Sequence, residues 1–479
     1  MRFHAVKVDR LQRATGEAAM AQMSLGQLTR KFQGLIAAVA LTFSVWGAVL
    51  AADSPSSPVT GRSAAGADWI IERPASWNGT LLLYARGYAA VRRPGPPESA
   101  PRELREWLLS QGYALAASSY SAEGWALAEA PRDQLDVLDA FVTRFGKPRR
   151  TIAWGGSMGG LVTVALAEKH ADRIDGALPA CGSVSGSVGM LNTALDGAWV
   201  FRELAGNDPQ LRVTGIDDDR ANTARAMAAL DAAWSTPQGR ARVMLAAALA
   251  QLPEWSDAAS PEPSVDDLDA RAAQVRRTFV MGTFVPRVDQ ERRAGGVNSW
   301  NTGIDYARQL RASGREASVR RYYSAANLDL DADLARLAAA PRIAADARAV
   351  AYMRANYVPT GELGVPVLTL QTVGDGLTVP ATHGSLQQFA RDAGRTALLQ
   401  QLWVKGAGHC TFTAGEWLAA LRALEQRLDQ GKWNTDIAAV ARLGEGLPGP
   451  VRFVKHEEPA LLRHCGARAG SCPGEPRAP

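Results

Sequence analysis

Residues 151–170 read TIAWGGSMGGLVTVALAEKH, and the fold turns on how they are read. The apolar run 152–154 predicts a short buried strand, and the apolar residues after Gly160 predict a helix. Between them stands Gly155-Gly156-Ser157-Met158-Gly159, a G-x-S-x-G placed where a strand reverses into a helix. A reversal completed within one residue strains that residue's backbone and crowds its neighbours. Gly155, Gly159 and Gly160 remove the side chains that would clash. Ser157 is pushed above the sheet edge, with its Oγ near a helix N-terminus where negative charge is favoured. Such five-residue strings also occur in idle Gly-rich turns; the flanking strand and helix make Ser157 a candidate nucleophile.

Outward from this turn, strand-like and helix-like runs alternate. Before it come apolar runs at 69–71, 80–85 (TLLLYA) and 114–119 (ALAASS), with helical spacing at 103–111 and 132–145. Asn78-Gly79 reads as a hairpin turn. After it, 174–180 reads as a strand ending at Cys181. The alternation implies an α/β fold, a mostly parallel twisted sheet with helices on both faces. From about 183 to 364 it stops. This stretch is rich in Ala, Arg and Asp, with helical spacing at 221–234, 240–252 and 265–279, and reads as a large helical cap inserted into the sheet domain. The sheet pattern resumes at 365–371 (VPVLTLQ), with a helix over 382–393, a last strand at 398–404 and a helix over 414–430. The core is therefore 68–182 and 365–430, preceded by a Pro/Ser/Gly-rich linker at 53–67 and followed by a tail, 431–479, expected to have little core.

The chain has 479 residues, 47% hydrophobic and 21% charged, which are globular values for one large domain with an insertion. The net charge of +5 is spread over scattered arginines, without a dense basic run or a nucleic-acid motif, so a solvated basic surface is expected and no nucleic-acid partner. At the N-terminus, Lys7, Arg10, Arg13, Arg30 and Lys31 precede an uncharged apolar run, 34–52. Small residues around Ala51 suit a signal-peptidase site, so residues 1–52 read as a secretory signal with a long basic leader, and export to the periplasm or the extracellular space is expected. The rival is an uncleaved anchor that leaves the catalytic part outside the cytoplasm. Four cysteines fit an oxidising compartment. Cys465 and Cys472 are close enough to clip the tail; Cys181 and Cys410 are read either as a second bridge or as two buried thiols.

A serine hydroxyl needs a base within hydrogen-bond reach and a third group to orient that base. Of six histidines, His4 lies in the leader, and His456 and His464 in the tail; His170 ends the helix after the serine, and His383 opens a helix and is expected at the surface. His409 alone sits in a Gly-rich loop after the last strand, Lys405-Gly406-Ala407-Gly408-His409-Cys410-Thr411, where a pliant backbone can carry an imidazole over the sheet edge. The acid should follow a strand on the same edge. Asp375 does, between Gly374 and Gly376, although an aspartate there also suits an Asx turn. The oxyanion of an intermediate needs two backbone N–H donors. Met158 should supply one, and Gly87 or Tyr88, just beyond TLLLYA, the other.

With the order Ser157, Asp375, His409, the chain resembles the α/β-hydrolase superfamily in its GGSMG elbow, its VGDG acid loop and its AGHC histidine loop. The resemblance covers about 69–430, with the insertion as a variable cap. Secreted tannase- and feruloyl-esterase-type enzymes are similar at Gly408-His409-Cys410. They bridge that cysteine to one directly before the serine, where this chain has Gly156. Prolyl-oligopeptidase-like peptidases share the triad order but carry a large propeller that has no counterpart here. The resemblance implies a serine hydrolase of carboxylic esters acting on a small-molecule substrate, with no metal or organic cofactor. The alternatives are a peptidase or amidase with the same chemistry, or a non-catalytic binding module on the same scaffold. Trp125, Trp199, Phe284 and Trp300 are read either as lining of a cap pocket or as plain core.

Overall fold

The computed structural model describes residues 57–92 and 95–476. The basic leader and the apolar run expected to be a signal or anchor lie outside the described residues. Nine strands form one sheet: β1 (Val59–Arg62), β2 (Asp68–Glu72), β3 (Thr80–Ala85), β4 (Ala114–Ser118), β5 (Arg150–Gly156), β6 (Gly176–Ala180), β7 (Val367–Gly374), β8 (Leu399–Ala407) and β9 (Phe453–Val454). Their order across the sheet is β1-β2-β4-β3-β5-β6-β7-β8-β9. The six strands from β4 to β8 run parallel, and β1, β2 and β9 pair antiparallel at the flanks.

Parallel strands covered on both faces must be apolar on both faces. β3 and β4 satisfy this, with Leu81, Leu82, Leu83, Leu115, Ala116 and Ala117 all buried. α1 (Arg102–Ser110), α2 (Ala130–Phe145) and α3 (Met158–Lys169) connect the first parallel strands. α3 buries Leu161, Val162, Val164, Ala165 and Leu166, so it is apolar around its whole circumference, as a helix wedged inside the domain must be.

Nine helices separate β6 from β7. They are α4 (Gly186–Leu204), α5 (Asp219–Trp234), α6 (Pro237–Leu249), α7 (Leu268–Thr283), α8 (Val288–Ala294), α9 (Tyr306–Ala312), α10 (Glu316–Ala325), α11 (Leu330–Ala339) and α12 (Ala347–Ala355). The composition of this stretch has a local cause. Asp218, Asp267, Asp305, Asp329 and Asp346 each cap a helix N-terminus by accepting first-turn N–H groups. α13 (Ala381–Asp392) and α14 (Ala414–Gln430) complete the sheet domain. A capping box between Thr413 and Glu416 opens α14, and Gly431 in the left-handed region closes it.

Three expectations require correction. Asn78-Gly79 makes a turn but no hairpin, because β4 lies between β2 and β3 in the sheet. Asn78 instead ties to the end of α1, its backbone N–H donating to Gly112 O and its side chain to Gln111 O. The linker contains β1, which pairs with β2 in the register Val59↔Ile71. The segment after Gly431 is built into the fold. α15 (Ile437–Arg442) buries Val440, β9 extends the sheet, and Cys465–Cys472 forms a disulfide. Arg463 is fully buried against an equally buried Asp196 of α4 at 2.8 Å. An arginine reads as solvated in a sequence, and its partner here is 267 residues away.

Candidate active site

The site grows from the C-terminal ends of five adjacent strands, the edge at which open α/β sheets bind ligands. Arg86-Gly87 follows β3, Ser157 follows β5, Cys181 follows β6, Asp375 follows β7 and His409 follows β8.

Ser157 has φ 60° and ψ −128°, a conformation that side chains rarely adopt. It is enforced from both sides. Its N–H donates to Ala180 O at 3.1 Å, and its carbonyl accepts from Gly160 N at 3.0 Å and Ser183 N at 3.3 Å. The glycines of the turn are required by packing. A Cβ at Gly155 would sit 2.2 Å from Ala85 O, and one at Gly159 would sit 2.0 Å from the same atom. Six described non-glycine residues have positive φ, and Ser157, Cys181 and Cys410 bring three of them together here. Strain concentrated in this way marks functional sites.

Asp375 is fully buried. Its Oδ1 accepts Leu377 N at 2.8 Å and Thr378 N at 3.0 Å, so the Asx-turn reading is correct for one oxygen. Its Oδ2 accepts His409 Nδ1–H at 2.8 Å. That bond selects the tautomer with a bare Nε2, the form able to take a proton. Thr378, which was not singled out in the sequence, steadies the pair. Its Oγ1 lies 2.8 Å from both Asp375 Oδ2 and Cys181 O. The only sequence signal was a hydroxyl three residues beyond the acid.

The Cys181–Cys410 disulfide links the ends of β6 and β8 across β7, so the bridge reading holds and the free-thiol reading does not. The slot used by tannase-type enzymes is Gly156, and the bridge lies against it: a Cβ there would be 3.3 Å from Cys181 Sγ and 3.5 Å from Cys410 Sγ. His409 Nε2 is 3.5 Å from Cys410 Sγ, so the imidazole and the residue before Ser157 pack on the same sulfur. Ser157 Oγ makes no hydrogen bond among the described residues. Unliganded sites often leave this contact open until substrate arrives. Cys181, His409 and Cys410 offer metal-ligating atoms within 4.8 Å of one another, but the bridge consumes both sulfurs and leaves one imidazole.

Gly87 lies beside the serine: a Cβ on it would be 3.3 Å from Ser157 Cβ and 3.8 Å from Oγ. Met158 opens α3, so its N–H is among the helix-start donors without an intrahelical acceptor. The helices between β6 and β7 reach this edge from two sides. Thr278 and Gly282 of α7 pack on Gly376, next to Asp375, and Asp289 of α8 accepts Trp125 N at 2.7 Å. Trp125, Trp199, Phe284 and Trp300 are buried in the hydrophobic clusters, so they belong to the core. A cavity of about 830 Å³ lies elsewhere, lined among others by Trp255, Arg315, Lys405 and His456, and its lining includes none of Ser157, Asp375 or His409. His383 is fully buried, correcting the expectation of a surface residue. Burial pushes its pKa down to about 3.

No family model matches the chain. The sheet order, the strained serine between β5 and α3, and the chain order of the site residues define an α/β hydrolase, and the chain belongs to that superfamily. Within it, the chain belongs to the family of the o-phthalyl amidase of Xanthobacter agilis. The two are 31% identical over 413 residues, covering 78% of this chain and 89% of the relative. Solved structures that it resembles include the acylaminoacyl peptidase of Pyrococcus horikoshii, with 10% identity, a TM-score of 0.39 and coverage of 80% of this chain. This chain spans 43% of that peptidase. Feruloyl esterase B of Aspergillus oryzae also aligns at 10% identity and a TM-score of 0.39, over 78% of this chain and 81% of that one. By its kinship with that amidase the chain is a hydrolase.

Proposed function

We propose that the chain is a serine hydrolase that cleaves small carboxylic amides and esters through an acyl-enzyme. Ser157 Oγ attacks the carbonyl carbon. His409 Nε2 takes the hydroxyl proton and returns it to the leaving nitrogen or oxygen, and water then releases the acid by the reverse route. Asp375 holds the imidazole in the required tautomer. The observation that carries this reading is the 2.8 Å bond from His409 Nδ1 to a buried Asp375 at the edge where Ser157 is strained into its elbow. The relative's name, an o-phthalyl amidase, supports an amide as the scissile bond and an aromatic acyl group as substrate. Esters remain substrates on this reading, since they yield to the same attack with a better leaving group. The two disulfides support an exported protein.

The test is a substrate panel on purified protein: an o-phthalyl amide, a benzoyl amide and an aryl ester of each acid, with Ser157→Ala as control. The wild type should turn over the o-phthalyl amide, and the alanine variant should lose roughly 10³-fold or more in kcat while keeping its fold. A fluorophosphonate should label Ser157. Unchanged turnover by Ser157→Ala would remove the serine mechanism, and hydrolysis confined to the esters would remove the amidase assignment.

A further inference from the structure

Arg86 is the residue that the reaction has not yet used. Its guanidinium spends its donors on main-chain carbonyls. Nε and Nη2 donate to Ser119 O at 2.9 and 2.6 Å, Nη2 also reaches Ala122 O at 3.4 Å, and Nη1 donates to Gly87 O at 3.0 Å. The group lies over the Tyr120 ring, 4.4 Å from its centroid, and the Tyr120 hydroxyl donates to Arg86 O at 3.1 Å. No described carboxylate pairs with it. A more than half-buried positive charge is therefore held by main-chain carbonyls and a ring face, one residue before the Gly87 that borders the serine.

The contact with Gly87 has a geometric consequence. In a trans peptide the C=O and the following N–H point in opposite directions. Because the carbonyl of Gly87 is held on the guanidinium, the N–H of Tyr88, in the same peptide unit, is turned the other way. That N–H has no acceptor among the described residues, as expected of a donor kept for a ligand. A Cβ on Gly87 would lie 3.3 Å from Ser157 Cβ, so this peptide borders the point of attack. We propose that Arg86 is the positioning residue of the oxyanion hole: its guanidinium fixes the Gly87–Tyr88 peptide so that the Tyr88 N–H, with that of Met158, meets the oxyanion. The assignment decides between the two donors left open by the sequence, in favour of Tyr88. It rests on the serine-hydrolase reading above. Burial without a partner carboxylate lowers the Arg86 pKa.

The experiment compares wild type, Arg86→Lys and Arg86→Met by kcat, KM and the affinity of an arylboronic acid, which forms a tetrahedral adduct with a serine. Loss of one oxyanion donor costs about 10²-fold in kcat. Arg86→Met should lose kcat on that scale. Arg86→Lys, which keeps the charge but loses the planar fork, should lose about 10-fold, with KM within about 3-fold in both variants. Boronate affinity should fall by the same factor as kcat, a parallel that a general loss of packing would not produce. If Arg86→Met does not fold, Arg86→Lys carries the comparison, with an unchanged melting curve as its control. Boronate affinity and kcat that stay at wild-type level, or a loss confined to KM, would overturn the inference. A fully active Ser157→Ala would instead sink the parent reading, so the two failures are separable.

Discussion

His383 offers a stability measurement whose sign and size follow from its surroundings. Its ring is fully buried on α13, 5.9 Å from the Trp403 ring, and neither ring nitrogen has a hydrogen-bond partner among the described residues. Charging it there would require desolvation with no compensating acceptor, which is why burial takes its pKa from 6.5 down to about 3. The folded chain thus holds His383 neutral while the unfolded chain protonates it below about pH 6.5. Stability is complete above that value and falls as the pH drops, until the folded pKa near 3 is reached. The slope approaches about 1.4 kcal/mol per pH unit, and by pH 5 the accumulated loss is about 2 kcal/mol. His383→Leu removes the titration at similar volume and also deletes two unsatisfied buried nitrogens. Urea unfolding of both proteins at pH 7.5 and pH 5 gives the answer as a difference of differences. Other buried acids cancel in that comparison, including Asp133 and Glu425, whose raised pKa values have the opposite pH sign. The variant should gain about 2 kcal/mol on the wild type between the two pH values. Parallel pH dependences, or a wild type that gains on the variant in acid, would refute the reasoning.

Three further outcomes are expected. Cys181→Ser with Cys410→Ser opens a loop of sequence separation 229, for which loop entropy sets a ceiling of about 5 kcal/mol; both urea stability and kcat should fall, and unchanged values would show that the bridge does not restrain the histidine loop. Arg463→Met leaves the buried Asp196 with the Tyr306 hydroxyl at 2.9 Å as its one hydrogen-bond partner among the described residues, and should cost about 3–5 kcal/mol in the same urea assay; a change below about 1 kcal/mol would mean that the pair is readily replaced. Gly159→Ala places a Cβ 2.0 Å from Ala85 O, so the turn cannot close as it stands; the variant should be insoluble or should lose fluorophosphonate labelling, and normal labelling would show that β3 can yield.

What could be read from the sequence, and what could not, divides by the range of the cause. The elbow is a local steric problem, solved within Gly155 to Gly160, so it is visible in six letters. The candidate acid and base were legible because each ends a strand in a glycine-flanked loop, and strands that run parallel must deliver those loops to one edge. The structure joins the two side chains at 2.8 Å without either loop having encoded the other. Pairings that depend on the order of strands were not legible. Asn78-Gly79 has the chemistry of a hairpin, and only the insertion of β4 denies it one. His383 reads as a polar residue at a helix start, and its burial depends on a neighbouring strand: the Trp403 ring of β8 lies 5.9 Å from it. Arg86 shows the same limit at the site itself. Its identity could be noted beside Gly87, but its function depends on where Ser119, Tyr120 and Ala122 present their carbonyls, which the packing of β4 against β3 decides. A side chain suited to chemistry can be recognised by its type and its loop. A side chain suited to aiming the chemistry can be recognised only once its acceptors are in place, which is why the role proposed for Arg86, unlike those of the candidate nucleophile and base, had to wait for the fold.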